Sequence, residues 1–235
     1  MTALATLRAA LRSALGGRRP ARRSLGSLEP ASRSFGANLG KAIDRHYIES
    51  FLERHAAAIH GHVLEVGDAA YTRRFGGERV SVSDVLHAAP GNPQATLVGD
   101  LATGQGISEG AFDCLILTQV LQYVFDVRAA IGHARAALKP GGVLLATLPG
   151  ISQISRSDDE RWGDYWRFTP ASARRLFGEV FGDEAVAVEA RGNVLAASAF
   201  LYGIPLHELD ARELEHDDPD YPMLITVKAQ RGGAA

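Results

Sequence analysis

A single cysteine, Cys114, is present in the 235 residues, so no intrachain disulfide can staple this chain. Thiol chemistry of that kind fits a cytoplasmic protein. No apolar run reaches the ~18 residues that cross a bilayer. Arginines interrupt the first apolar stretch, which makes it a poor secretory signal. Bulk charge is also missing: the formal net charge is −2, which argues against a protein held to nucleic acid by its overall charge. Metal-ligand spacing is absent. His60 and His62 flank a strand start without further ligands, and His216-Asp217-Asp218-Pro219-Asp220 lacks the spacing of a calcium loop. Aromatic residues are few, 7% of the chain, yet both tryptophans, Trp162 and Trp166, fall in one short segment. Apolar residues, at 46%, suffice for one domain with a core of its own.

Charge is unevenly spread. Residues 1–34 hold seven Arg against Glu29, a local +6 that leaves −8 for the remainder. Leu4, Leu7, Leu11 and Leu15 have helical spacing, and residues 17–34 have the Arg, Ser, Gly and Pro content of a disordered leader. Such a leader could touch a membrane surface, or be a loose extension with little role. Residues 35–60 read as a helical cap, with Ile43, Tyr47, Ile48, Phe51, Leu52 and Ile59 on one face.

From residue 61 to about 230 strands alternate with helices, and residues 231–235 are a tail. Val63–Val66 is an apolar strand ending at a Gly turn. Runs ending at Asp84 and Asp100 follow. Phe112–Thr118 is nearly all apolar, as for the buried centre of a parallel sheet. A helix over Val127–Leu138 stops at Lys139-Pro140-Gly141-Gly142, and Val143–Leu148 is the next strand. Pro170 opens a helix after a long loop. Ala185–Ala190 and Leu224–Ala229 are the last strands, with an apolar helix at Val194–Tyr202 between them that is either core or the face of a homodimer. The pattern is an α/β doubly wound sheet with helices on both faces. Acidic strand tips at the carboxyl edge of such a sheet suit a nucleoside-like ligand.

Several of these residues stand in an order that resembles the class I S-adenosylmethionine-dependent methyltransferases. Leu64-Glu65-Val66-Gly67 looks like the family's first motif. Asp84 looks like the acid ending its second strand, and Asp100-Leu101 like the pair after its third. Phe112–Val124 is similar to its fourth strand and the start of the helix that follows. Leu138-Lys139-Pro140-Gly141-Gly142 resembles the turn before its fifth strand. Asp164-Tyr165-Trp166-Arg167-Phe168-Thr169-Pro170 resembles a segment of a subset that includes enzymes encoded beside glycan-assembly proteins. The resemblance implies a Rossmann-like, mostly parallel seven-stranded sheet with an antiparallel last strand, and S-adenosylmethionine as cofactor. One departure is evident: where the family repeats glycine, this chain has Gly67, Ala69 and Tyr71.

Roles follow from the resemblance. Glu65 and Gly67 would face the cofactor's amino-acid end, with Asp68 beside its ammonium and Tyr47 on a helix closing over it. Asp84 would take the ribose hydroxyls, since a carboxylate offers paired acceptors. Asp100 and Leu101 would hold the adenine, and Thr118 and Gln119 would line the methyl group. Trp162, Trp166 and Arg167 would bind the acceptor, with Asp164 or Tyr165 as base. The acceptor would be a small molecule or a glycan sugar, methylated on oxygen. A non-catalytic scaffold of the same fold remains the alternative. A nicotinamide enzyme is disfavoured, since the G-x-G-x-x-G turn is absent.

Overall fold

The computed structural model describes residues 21–233. Seven strands form one sheet: β1 Gly61–Val66, β2 Val80–His87, β3 Leu97–Val98, β4 Phe112–Thr118, β5 Leu138–Pro149, β6 Val186–Arg191 and β7 Leu224–Gln230. Their order is β3-β2-β1-β4-β5-β7-β6. β7 runs antiparallel to both neighbours, and the other pairings are parallel. This is the expected Rossmann-like architecture. The order reverses beside β1, between β1 and β4, which opens a crevice at their carboxyl ends.

Helices cover both faces. α1 is Asp44–Arg54, α2 Val127–Ala137, α3 Arg156–Trp162, α4 Pro170–Phe181, α5 Val194–Leu201 and α6 Ala211–Glu215. α2 and α4 bury Ala130, Ile131, Ala134, Ala173 and Phe177 against Leu115, Leu117 and Leu144. α1 and α5 bury Tyr47, Ile48, Phe51, Ala196 and Phe200 against Cys114, Ile116 and Leu145 on the opposite face. β4 and β5 are apolar throughout because both their faces are covered. Local signals fix the helix starts: Asp126 caps α2 by accepting from Ala129 N, and Thr169 with Ser172 forms a capping box before Pro170 of α4.

Several boundaries differ from the expectation. Residues 21–34 are not a disordered leader. Ala21 and Arg22 donate their backbone N–H groups to buried Glu208 at 3.2 and 2.9 Å, and Arg22 makes a bidentate bond to Glu213. The leucine pattern of residues 1–16 lies outside the described residues. β2 continues past Asp84 to His87, and α3 stands inside what reads as a long loop. Among the described residues no helix is long and apolar enough to cross a membrane.

Candidate active site

Two adjoining cavities open at the carboxyl edge. The first, of 550 Å³, lies over the tips of β1, β2 and β4 and beneath Phe125, Trp162 and Tyr165. The second, of 460 Å³, lies between the segment before α1 and the segment carrying α3. Gln119, Tyr123 and Asp158 line both.

Gly67 follows β1 with φ +90°, a conformation that an L side chain rarely adopts. Its N–H donates to Leu86 O at 3.0 Å and its carbonyl accepts from Asn92 Nδ2 at 2.7 Å. The two departures from glycine do not obstruct the first cavity. Ala69 is 4% exposed and lines neither cavity. Tyr71 stacks on Phe75, and its hydroxyl accepts from Arg45 Nη1 at 3.0 Å.

Glu65 does not face the cavity as expected. It is 2% exposed, and its two oxygens accept from Tyr71 N at 3.2 Å and Thr72 N at 2.7 Å. Burial raises its pKa, against the pull of those bonds. Asp68 turns back on its own loop and accepts from Ala70 N at 2.7 Å. Tyr47 belongs to the core: its hydroxyl donates to Leu214 O at 2.9 Å. Helical spacing could not separate these uses, because a core tyrosine and a lid tyrosine occupy the same apolar stripe.

Asp84 also stands elsewhere than expected. It pairs in register with Leu64 of β1 and lies three residues before the end of β2 at His87, about 10 Å at the usual rise per residue. Its oxygens bond His62 Nε2 at 2.7 Å and Thr96 Oγ1 at 2.6 Å. Burial alone would raise this carboxyl, but the hydrogen bonds from Thr96 and His62, with the His62 charge, hold it below the usual carboxylate value. The ionised form therefore adds stability above ~4, where the unfolded carboxyl ionises. That stability is lost as the pH falls through the folded pKa. Asp84→Asn should thus be less stable than wild type from pH 7 to 5, with the gap closing in more acid solution, as urea midpoints at each pH would show.

The residue at the β2 tip is His87, and it lines the first cavity. Its Nδ1 lies 2.6 Å from Ala89 O. Ala89 N is farther off, at 3.4 Å; a carbonyl only accepts, so the shorter contact selects the neutral tautomer with the proton on Nδ1 and Nε2 as an acceptor. The ring meets Trp162 edge-on at 5.4 Å. Asp100 accepts from Ala102 N at 2.8 Å, and both Asp100 and buried Leu101 line the cavity, as does Thr118. Gln119 has φ +54°, an unusual conformation for a side chain of its size. Its N–H donates to Thr147 O at 3.0 Å and its carbonyl accepts from Gln122 Nε2 at 2.9 Å.

The aromatic segment divides differently from the expectation. Trp162 and Tyr165 line the first cavity, not the second, and Trp166 lines neither. Trp166 Nε1 donates to Val124 O at 3.1 Å. Asp164 and Arg167 border the second cavity but are spent on each other, at 2.6 and 3.0 Å. Asp164 has no open oxygen for a base: it also accepts from Ser155 N at 3.0 Å. The carboxylate between the cavities is Asp158. Its Oδ2 accepts from Ser155 Oγ at 2.6 Å and Tyr123 Oη at 3.1 Å. Burial, then the neighbouring Asp158 charge, pushes the Tyr123 phenol up to about 12. Ser155-Arg156-Ser157-Asp158 is a helix-start signal in the sequence, a Ser followed three positions on by an acid.

Comparison with known proteins agrees with the fold. Residues 43–180 match the model of a methyltransferase-domain family. A stretch of 97 residues, 41% of the chain, is 32% identical to polyketide synthase ThaQ of Burkholderia thailandensis. That alignment spans 4% of the synthase's length. An S-adenosylmethionine-dependent methyltransferase from Archaeoglobus fulgidus superposes with a TM-score of 0.52 at 12% identity, over 80% of this chain and 94% of that one. Phosphoethanolamine N-methyltransferase 2 of Haemonchus contortus, solved with phosphomonomethylethanolamine and S-adenosylhomocysteine, gives 0.51 at 14% identity, over 80% of this chain and 52% of that one. These structural likenesses concern the fold.

Proposed function

The chain belongs to the methyltransferase-domain family, and from that premise we propose that it moves a methyl group from S-adenosylmethionine to a hydroxyl of a small molecule or glycan sugar. The carrying observation is the meeting of two cavities at Gln119, Tyr123 and Asp158. In-line transfer needs donor and acceptor on opposite sides of one point, with the reacting atoms aligned and shielded from water.

The residues of the first cavity fit the cofactor. Leu86, Leu101, Val120 and Val124 offer apolar walls for the adenine, and Asp100 a polar edge. His87 Nε2 is the acceptor for a ribose hydroxyl, in place of a carboxylate. Gly67 leaves room over the β1 turn, since no atom lies within 4 Å of where a β-carbon would stand. The bound cofactor supplies the electrophilic methyl on its sulfonium. His87→Ala should weaken S-adenosylhomocysteine binding about fivefold, the cost of one hydrogen bond near 1 kcal/mol, as calorimetry would read.

The second cavity is walled by amides, hydroxyls, carboxylates and guanidinium groups, from Gln119, Gln122, Ser152, Ser155, Asp158 and Arg156 among others. Mixed donors and acceptors suit a polyhydroxylated acceptor. An alcohol is a poor nucleophile and needs a base. Tyr123 and Ser155 both hold Oδ2 of Asp158, which leaves Oδ1 for the acceptor. Asp158 would take the hydroxyl's proton as the acceptor oxygen bonds to the methyl, the bond broken being the methyl's bond to the sulfonium sulfur and the group released S-adenosylhomocysteine.

The test is calorimetric titration with S-adenosylmethionine and S-adenosylhomocysteine, followed by incubation of methyl-labelled cofactor with free and nucleotide-linked sugars. Micromolar binding and label in a sugar support the reading. No binding at millimolar cofactor, by a folded protein, overturns it and favours a binding scaffold.

A further inference from the structure

The second cavity is lined by four arginines and three aspartates. Two of each are matched: Arg167 holds Asp164 at 2.6 and 3.0 Å, and Arg45 lies 3.8 Å from Asp44. The third acid, Asp158, stands at the junction with the first cavity and already holds Ser155 and Tyr123. Arg33 and Arg156 are left over, and they line the second cavity alone. The Arg156 side chain makes no hydrogen bond or ion pair with any described residue. Arg33 has one side-chain partner, Glu29 at 2.6 Å, and both groups are 77% exposed. Such a pair is screened by water and readily exchanged.

These two cations stand on opposite walls. Arg33 belongs to the segment before α1, and Arg156 opens α3. Each is followed by a serine that lines the same cavity, Ser34 or Ser157, whose hydroxyl has no partner among the described residues. Gln153 Nε2 donates to Arg33 O at 2.9 Å and so ties the two walls together. Arg156 and Asp158 are two positions apart on one helix, so their side chains leave it in different directions. An anion held by Arg156 is thereby kept off the carboxylate. Guanidinium forks match the oxygens of a phosphate, and the serine hydroxyls add donors. A neutral sugar would use neither charge.

We propose that Arg33 and Arg156, with Ser34 and Ser157, form an anion subsite that selects a phosphorylated sugar as the acceptor, carried either as a sugar phosphate or as a nucleoside diphosphate sugar. The inference rests on the second cavity being the acceptor's and names the substrate class of that cavity.

The test is calorimetric titration with glucose, glucose 1-phosphate, UDP-glucose, glucuronate and pyrophosphate, beside S-adenosylhomocysteine. Wild type should hold one of the two phosphorylated sugars, and pyrophosphate, at least about tenfold tighter than glucose, as charge-assisted hydrogen bonds allow. Whichever of the two binds tighter identifies the source of the phosphate. Arg33→Gln and Arg156→Gln should each lose most of that preference, with S-adenosylhomocysteine affinity and melting temperature unchanged. Arg156→Lys should recover part of it, keeping the charge without the fork. Arg174→Gln, on α4 and lining neither cavity, should change nothing. A loss for Arg174→Gln as large as for Arg156→Gln would show diffuse charge attraction and overturn the subsite. Glucuronate held as tightly as the phosphorylated sugars overturns the phosphate assignment. Wild type that binds S-adenosylhomocysteine but does not prefer phosphorylated sugars overturns the subsite and leaves the methyl-transfer reading standing. Phosphate binding without cofactor binding at millimolar concentration overturns the methyl-transfer reading and the acceptor role, and binding of neither overturns both.

Discussion

Arg167→Ala should cost about 3–5 kcal/mol of folding stability, the usual loss when a buried ion pair is broken from one side. The reason is what the substitution strands. Asp164 has a side chain only 2% exposed, and Arg167 supplies both of its charged contacts, at 2.6 and 3.0 Å. The same guanidinium donates to Ser152 O at 3.2 Å and to Gln153 O at 2.5 Å. It therefore ties the start of the segment after β5 to its end and holds α3 in place between them. Arg167→Lys should recover part of the loss, because a single ammonium cannot reproduce the planar fork. Asp164→Asn should cost less than Arg167→Ala, because the charge left without its partner is Arg167, which is 27% exposed and keeps the carbonyls of Ser152, Gln153 and Trp166 as acceptors. Urea unfolding of the three variants gives the order directly. A loss below about 0.5 kcal/mol for Arg167→Ala, the size usual for surface changes, would mean that this pair does not organise the segment. The first cavity should suffer as well, since Trp162 and Tyr165 of that segment line it.

What could be read in the sequence was what depends on local pattern. β4 and β5 were legible because a strand buried on both faces is apolar throughout. α4 was legible because Thr169-Pro170 is a helix start whatever surrounds it. The Gly67 turn was legible because it needs a positive φ. Asp84 and His87 show where local pattern ends. Val85 and Leu86 continue the strand past the acid, and the tip is set by pairing: Leu86 lies opposite Val66, and its carbonyl accepts from Gly67 N. No residue type between Asp84 and Pro90 announces that stop. Asp164 and Arg167 pose a different problem. Their spacing allows either a ligand site or a mutual pair, and only the burial of Asp164 decides for the pair. Asp158 was within reach, through the Ser155-x-x-Asp158 signal, but the aromatic residues beside it drew the assignment of a base to Asp164 and Tyr165.

Asp158→Asn should lower methyl transfer to a sugar hydroxyl by about 10²–10⁴-fold, the range for loss of a general base, with little change in S-adenosylhomocysteine affinity. The substitution keeps the side chain's shape and one acceptor for Ser155 and Tyr123, so the loop that carries it should stay ordered. Ser155→Ala should have a smaller effect, since it removes only one of the two donors on Oδ2. Tyr165→Phe should have almost none, because Tyr165 lines the first cavity alone and does not border the second. The discriminating measurement varies the acceptor. A base matters least when the nucleophile gives up its proton readily, so the Asp158→Asn deficit should shrink for a phenol and stay full for an alkanol. A deficit of equal size for both would point to a positioning role. An unchanged rate for the variant would instead fit an acceptor, such as a neutral amine, that attacks without losing a proton first, and would remove the oxygen assignment. Thermal melts and S-adenosylhomocysteine titrations of each variant separate a lost base from a disturbed cavity, because only the second moves the cofactor affinity.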